Sequence, residues 1–83
     1  MTGQGGRLVL YVREGCHLCA SAEDLLAQVS SELGERCHVV DIDSDPALLE
    51  RFGEMIPVVT VDGVVQGYWR IDADRVRRAL ASR

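Results

Sequence analysis

Between Arg7 and Leu33 the apolar residues change their period once, and two cysteines sit on the change. Arg7 to Val12 reads Arg-Leu-Val-Leu-Tyr-Val, a short and nearly continuous apolar run of the kind found in a buried strand. Arg13-Glu14-Gly15 interrupts it. From Leu18 the apolar residues fall at Leu18, Ala22, Leu25, Leu26, Val29 and Leu33, which is one stripe of a helix, and Gly34 supplies a stop. A strand that feeds directly into a helix commits the chain to packing the two together. With 83 residues there is room for one core only.

The remaining chain continues the same logic. Cys37 to Ile42 is a second strand candidate. Ser44-Asp45-Pro46 opens a short helix with Asp45 as N-cap and Pro46 in its first turn; Leu48, Leu49 and Phe52 form its inner face and Gly53 ends it. Val58 to Val61 and Val64 to Gln66 flank Asp62-Gly63, a pair that favours the type I′ turn of a β-hairpin. Asp72 caps a last helix, with Ile71 and Val76 placed as a hydrophobic staple and Val76, Ala79 and Leu80 as its apolar face. The order β-α-β-α-β-β-α predicts an α/β fold: a mixed four-stranded sheet with helices on both faces. The first two strands pair in parallel and the last two form the hairpin. Residues 7–83 make the domain, preceded by a polar, glycine-rich stretch at residues 1–6 that reads as a disordered tail.

Composition narrows the function. Hydrophobic residues are 47% of the chain, too many for a disordered protein. The net charge is −4, with no lysine and nine arginines. Arg75, Arg77 and Arg78 share the last helix with Asp72 and Asp74, a solvated face that gives nucleic-acid binding no support. No apolar run approaches the roughly 20 residues of a membrane span, and the N-terminus has no apolar signal core. The expectation is a cytoplasmic monomer. Three cysteines in such a chain argue against a disulfide framework and leave a close pair, Cys16 and Cys19, plus Cys37.

Gly15-Cys16-His17-Leu18-Cys19 lies where the strand ends and the helix begins. A C-x-x-C beside a β-α-β pattern reads as a redox motif. At a helix N-terminus, free N–H groups and the helix dipole favour the Cys16 thiolate and bring its pKa below the free-cysteine value of about 8.5. Cys19, one turn deeper, is placed to attack a mixed disulfide on Cys16. Cys16 is thus the nucleophile and Cys19 the resolving thiol. The rival is a metal- or iron–sulfur-cluster-binding module using the Cys16 thiolate. Two cysteines fall short of the four ligands of a structural zinc site, and neither His17 nor His38 completes a zinc pattern, so no metal ligands are assigned.

The stretch Leu10-Tyr11-Val12-Arg13-Glu14-Gly15-Cys16-His17-Leu18-Cys19 resembles the opening of glutaredoxins, in which a tyrosine and a basic residue precede the C-x-x-C. Met55-Ile56-Pro57-Val58 is similar to the family's cis-proline segment, and Asp62-Gly63 matches the turn that follows. The resemblance implies a thioredoxin-like fold and a thiol–disulfide oxidoreductase that reduces protein or mixed disulfides. It implies no cofactor beyond the Cys16–Cys19 redox disulfide, with glutathione, another low-molecular-weight thiol or a reductase as the candidate electron donor. It also implies that Arg13 contacts a thiol substrate and that the backbone at Ile56 and Pro57 pairs with a substrate peptide or thiol tripeptide. Two segments depart from the family. His17 and Leu18 replace a proline and an aromatic between the cysteines, and Gly67-Tyr68-Trp69-Arg70 replaces the paired glycines and acidic residue that hold glutathione. His17, when protonated, would favour the thiolate and make the disulfide more oxidising. Cys37 reads as a small buried apolar side chain, His38 as a hydrogen-bonded strand residue, and Tyr68 and Trp69 as core-finishing aromatics.

Overall fold

The computed structural model describes residues 7–81; the tail expected at residues 1–6 lies outside the described residues, as do 82–83. Four strands, β1 (Leu8–Val12), β2 (Cys37–Asp41), β3 (Val58–Val61) and β4 (Val64–Tyr68), form one sheet in the order β2-β1-β3-β4. Three helices, α1 (His17–Leu33), α2 (Pro46–Phe52) and α3 (Ala73–Ala81), connect or follow them, and a 3-10 turn at Ile42–Ser44 leads from β2 toward α2. The β-α-β-α-β-β-α order expected from the sequence is the order found.

β1 is central and reads both ways. It pairs in parallel with β2, from Leu8 beside Cys37 to Val12 beside Asp41, and antiparallel with β3, from Leu8 beside Val61 to Tyr11 beside Val58. The parallel pair needs a crossover, and α1 provides it. Alternation along β1 splits the core into two layers. Leu8, Leu10 and Val12 point to α1 and α3, where they meet Leu26, Val29, Val76 and Leu80. Tyr11 points the other way, with Val58, toward Ile42 and Phe52 beside α2. The Tyr11 and Phe52 rings lie 4.8 Å apart. Helices therefore cover both faces.

The end signals behave as their chemistry dictates. Asp45 Oδ1 accepts the backbone N–H groups of Ala47 and Leu48, at 3.0 and 3.4 Å. Asp72 Oδ1 does the same for Asp74 and Arg75 at the start of α3. Asp62 and Gly63 have φ of 53° and 84°, the two positive values of a type I′ turn. One expectation fails at both ends of α1: Leu18 and Leu33 are exposed, and the buried stripe runs Cys19, Ala22, Leu26, Val29. At the first turn it is Cys19, not Leu18, that faces the core, and at the last turn the helix runs past Val29, its last buried residue. Among the described residues, no helix is long and apolar enough to cross a membrane.

Candidate active site

Gly15 turns the chain from β1 into α1 with a φ of 80°, a left-handed value that side chains with a Cβ rarely adopt. That turn leaves Cys16 as the N-cap of α1, in extended conformation, with its Sγ accepting the backbone N–H of Cys19 at 3.1 Å. A sulfur here occupies the place of the oxygen that usually caps a helix. Cys16 and Cys19 are joined as a disulfide, their Cα atoms 5.2 Å apart. The two sulfurs are unequal in access: Cys16 is half-exposed, whereas Cys19 is 3% exposed and part of the core.

The open groove around the pair is lined by Arg13, Glu14, His17, Glu23 and Asp41. His17 and Arg13 therefore share the dithiol's surroundings, as the sequence reading expects, and both are exposed. Arg13 is also held by a partner 30 residues away: its Nε donates to Asp43 Oδ1 at 2.9 Å. Ile56 packs half-buried against the cluster that contains Cys19, and the Ile56–Pro57 peptide bond is cis. The Pro57 ring is fully buried, so Pro57 presents no side-chain surface to a substrate. Among the described residues, neither backbone group of Ile56 has a backbone hydrogen-bond partner.

Cys37, Tyr68 and Trp69 stand otherwise than the sequence suggests, whereas His38 keeps its expected place on a strand. Cys37 is half-buried, not buried, because β2 is an edge strand; it lies beside Leu8, at the far end of β1 from Cys16, roughly 13 Å of strand away. Burial, reinforced by the Glu23 carboxylate, pushes its thiol pKa up, which makes it a poor nucleophile. His38 is half-buried beside Val9, also away from the dithiol. Tyr68 and Trp69 do not finish the core: they are 45% and 54% exposed. Trp69 N–H donates to Pro57 O at 2.9 Å, which ties this pair to the segment after Ile56. Position in the chain carried no signal for that contact; only the unusual Tyr-Trp dipeptide beside a predicted strand end could have drawn attention to it.

Among the described residues no group of three or more His, Cys, Asp or Glu side chains is arranged to hold a metal ion. One chain thus offers two thiolates, where tetrahedral zinc or an iron–sulfur cluster takes four ligands.

Residues 7–81 match the family model described as Glutaredoxin-like domain (DUF836). The uncharacterized protein Rv0508 of Mycobacterium tuberculosis is 38% identical over 77 residues, covering 87% of this chain and 79% of that protein. The X-ray structure of target protein XcR50 from X. campestris superposes with a TM-score of 0.72 at 36% identity, over 92% of this chain and 97% of that one. The crystal structure of oxidized glutaredoxin 2 from Chlamydomonas reinhardtii shares the fold, with a TM-score of 0.55 at 23% identity over 92% of this chain and 72% of that one.

Proposed function

This chain belongs to the glutaredoxin-like domain family, and from that premise we propose that it is a thiol–disulfide oxidoreductase acting through Cys16 and Cys19. The observation that carries the reading is the asymmetry of the pair. The half-exposed sulfur caps a helix, and the buried sulfur waits one turn behind it. In the reduced protein the Cys16 thiolate attacks one sulfur of a substrate disulfide. A mixed disulfide forms on Cys16 and the first substrate thiolate leaves. Cys19 gives up its proton and its thiolate attacks Cys16 Sγ. The Cys16–Cys19 bond closes and the second substrate thiolate leaves, so the dithiol's two electrons pass to the substrate. A donor thiol or dithiol then reverses the closure.

The surroundings divide the work. The α1 N-terminus stabilises the attacking thiolate through its free N–H groups and dipole. The backbone of Ile56, without a backbone hydrogen-bond partner among the described residues, offers one donor and one acceptor to an extended substrate segment. Arg13 and His17 line the groove beside the dithiol. We place the activity in the cytosol, where a dithiol of this kind is kept reduced.

The test is reduction of a mixed disulfide by the purified protein, with glutathione and with a thioredoxin reductase as alternative donors. Turnover that needs Cys16 with either donor supports the reading. Absence of turnover with both, while the dithiol is demonstrably reduced, sinks it.

A further inference from the structure

Tyr68 and Trp69 form an exposed edge-to-face pair, ring centroids 5.2 Å apart and planes at 86°. Large aromatics rarely stand in solvent side by side without a use. Trp69 is also held there against its own backbone preference: its φ is 62°, in the left-handed region that bulky residues avoid. Three hydrogen bonds enforce the conformation. Its backbone N–H donates to Pro57 O at 2.9 Å and to Met55 O at 3.3 Å, and its indole Nε1 donates to Glu54 O at 3.0 Å. All three acceptors lie in the segment that surrounds Ile56. Strain of this kind persists only where neighbours over-determine it, and it concentrates at functional sites.

The platform continues the proposed active site. β4 pairs Tyr68 with Val58, which pairs with Tyr11, so the aromatics stand at the same end of the sheet as Cys16. Ile56 belongs to the segment that holds Trp69 and packs against the cluster that contains Cys19, and among the described residues its backbone groups have no backbone hydrogen-bond partner. Exposed Leu18, between the two cysteines, adds apolar surface at the dithiol. Charge disfavours a second kind of occupant. The dithiol groove carries Glu14, Glu23 and Asp41 against Arg13 and His17, and Arg13 already faces Asp43. A small thiol peptide bearing two carboxylates meets more negative than free positive charge there.

We propose that Tyr68 and Trp69 dock the polypeptide flanking the target cysteine, so that the substrate is an extended segment of a disulfide-bearing protein. That segment carries an apolar side chain near its cysteine and little negative charge. The inference rests on the oxidoreductase reading for the identity of the site, and its test reads docking without turnover.

Trp69 is the single tryptophan of the chain and reports on its own cover. In the full chain with Cys19→Ser and Cys37→Ala, only Cys16 can react. Its thiolate displaces pyridine-2-thione from the thiopyridyl disulfide of a short Phe-Cys-Leu peptide, or from that of glutathione, leaving the corresponding mixed disulfide. The peptide adduct should lower the acrylamide quenching constant of Trp69 at least about twofold relative to the glutathione adduct. Equal quenching in the two adducts would overturn the proposal. A second measurement compares kcat/KM for the peptide disulfide with that for glutathione disulfide. Tyr68→Ala and Trp69→Ala should each lower this ratio by about tenfold, the size expected when a central aromatic contact is truncated. An unchanged ratio also overturns it. If the unaltered protein turns over neither substrate but the quenching difference holds, the oxidoreductase reading falls and the docking surface stands.

Discussion

The backbone N–H of Cys19 donates to the Cys16 sulfur at 3.1 Å, so the helix that carries the buried cysteine is capped by the exposed one. The bond makes the two thiols different chemical species from a single local motif. One sulfur receives the positive end of α1; the other is enclosed by the core with Val12, Ala22 and Leu26.

That difference predicts unequal alkylation. In the reduced protein Cys16 should react with iodoacetamide at least about tenfold faster than Cys19, with a pH midpoint below the free-thiol value of about 8.5. Peptide mass mapping of a time course reads both rates. Equal rates at the two positions would remove the assignment of nucleophile and resolving thiol.

Cys37 should label slowly and matter to stability rather than turnover. Burial, helped by the Glu23 carboxylate, raises its pKa above the ordinary thiol value, so the fold favours the neutral thiol. Its contribution is therefore complete below about pH 9, where the unfolded thiol is still protonated. It is lost as pH rises through the higher folded value. Denaturant midpoints between pH 8 and 11 should fall more steeply for the unaltered protein than for Cys37→Ala. Parallel curves would show that the thiol's environment is ordinary.

His17 should have only a small effect on the redox couple. The sequence suggests a cation beside the thiolate, but the structure leaves the imidazole in solvent, where screening weakens such pairs. His17→Ala is expected to shift the reduction potential by about 20 mV or less, the equivalent of one surface charge pair. A shift of 60 mV or so in a redox titration would restore His17 to a governing role.

What the sequence could and could not reveal follows from range. Cys16 at a strand-to-helix junction, Asp45 before Pro46, the Asp62-Gly63 turn and Asp72 before the last helix are local signals, each complete within a few residues, and each stands where it was expected. The pairing of Arg13 with Asp43 is set by the 3-10 turn after β2, and nothing near Arg13 announces it. Trp69 is harder still. Its left-handed backbone contradicts its own propensity and exists only because carbonyls of residues 54, 55 and 57 hold it. Leu18 and Leu33 misled for a simpler reason: periodicity marks a helix face only approximately, so Cys19 and not Leu18 turns inward, and it does not show where the core beneath Leu33 ends.

The α2 layer offers a stability test independent of the chemistry. Asp45→Ala leaves two N–H groups of α2 uncapped and should cost about 1 kcal/mol, lowering Tm by roughly 4–8 °C. Phe52→Ala, which removes a ring 2% exposed and packed on Tyr11, should cost about 3–5 kcal/mol. Thermal unfolding followed by circular dichroism checks both, and a smaller loss for Phe52→Ala than for Asp45→Ala would contradict the two-layer core.

The central claim is that Cys16 and Cys19 act together as a two-electron reductant of disulfides. The most direct measurement mixes fully reduced protein with an excess of a peptide disulfide, then counts released thiols and maps the cysteines by mass spectrometry. The account predicts two peptide thiols released per chain, an intramolecular Cys16–Cys19 bond, and Cys37 still free. One thiol released, with peptide retained on Cys16 or Cys37 and no Cys16–Cys19 bond, would contradict it.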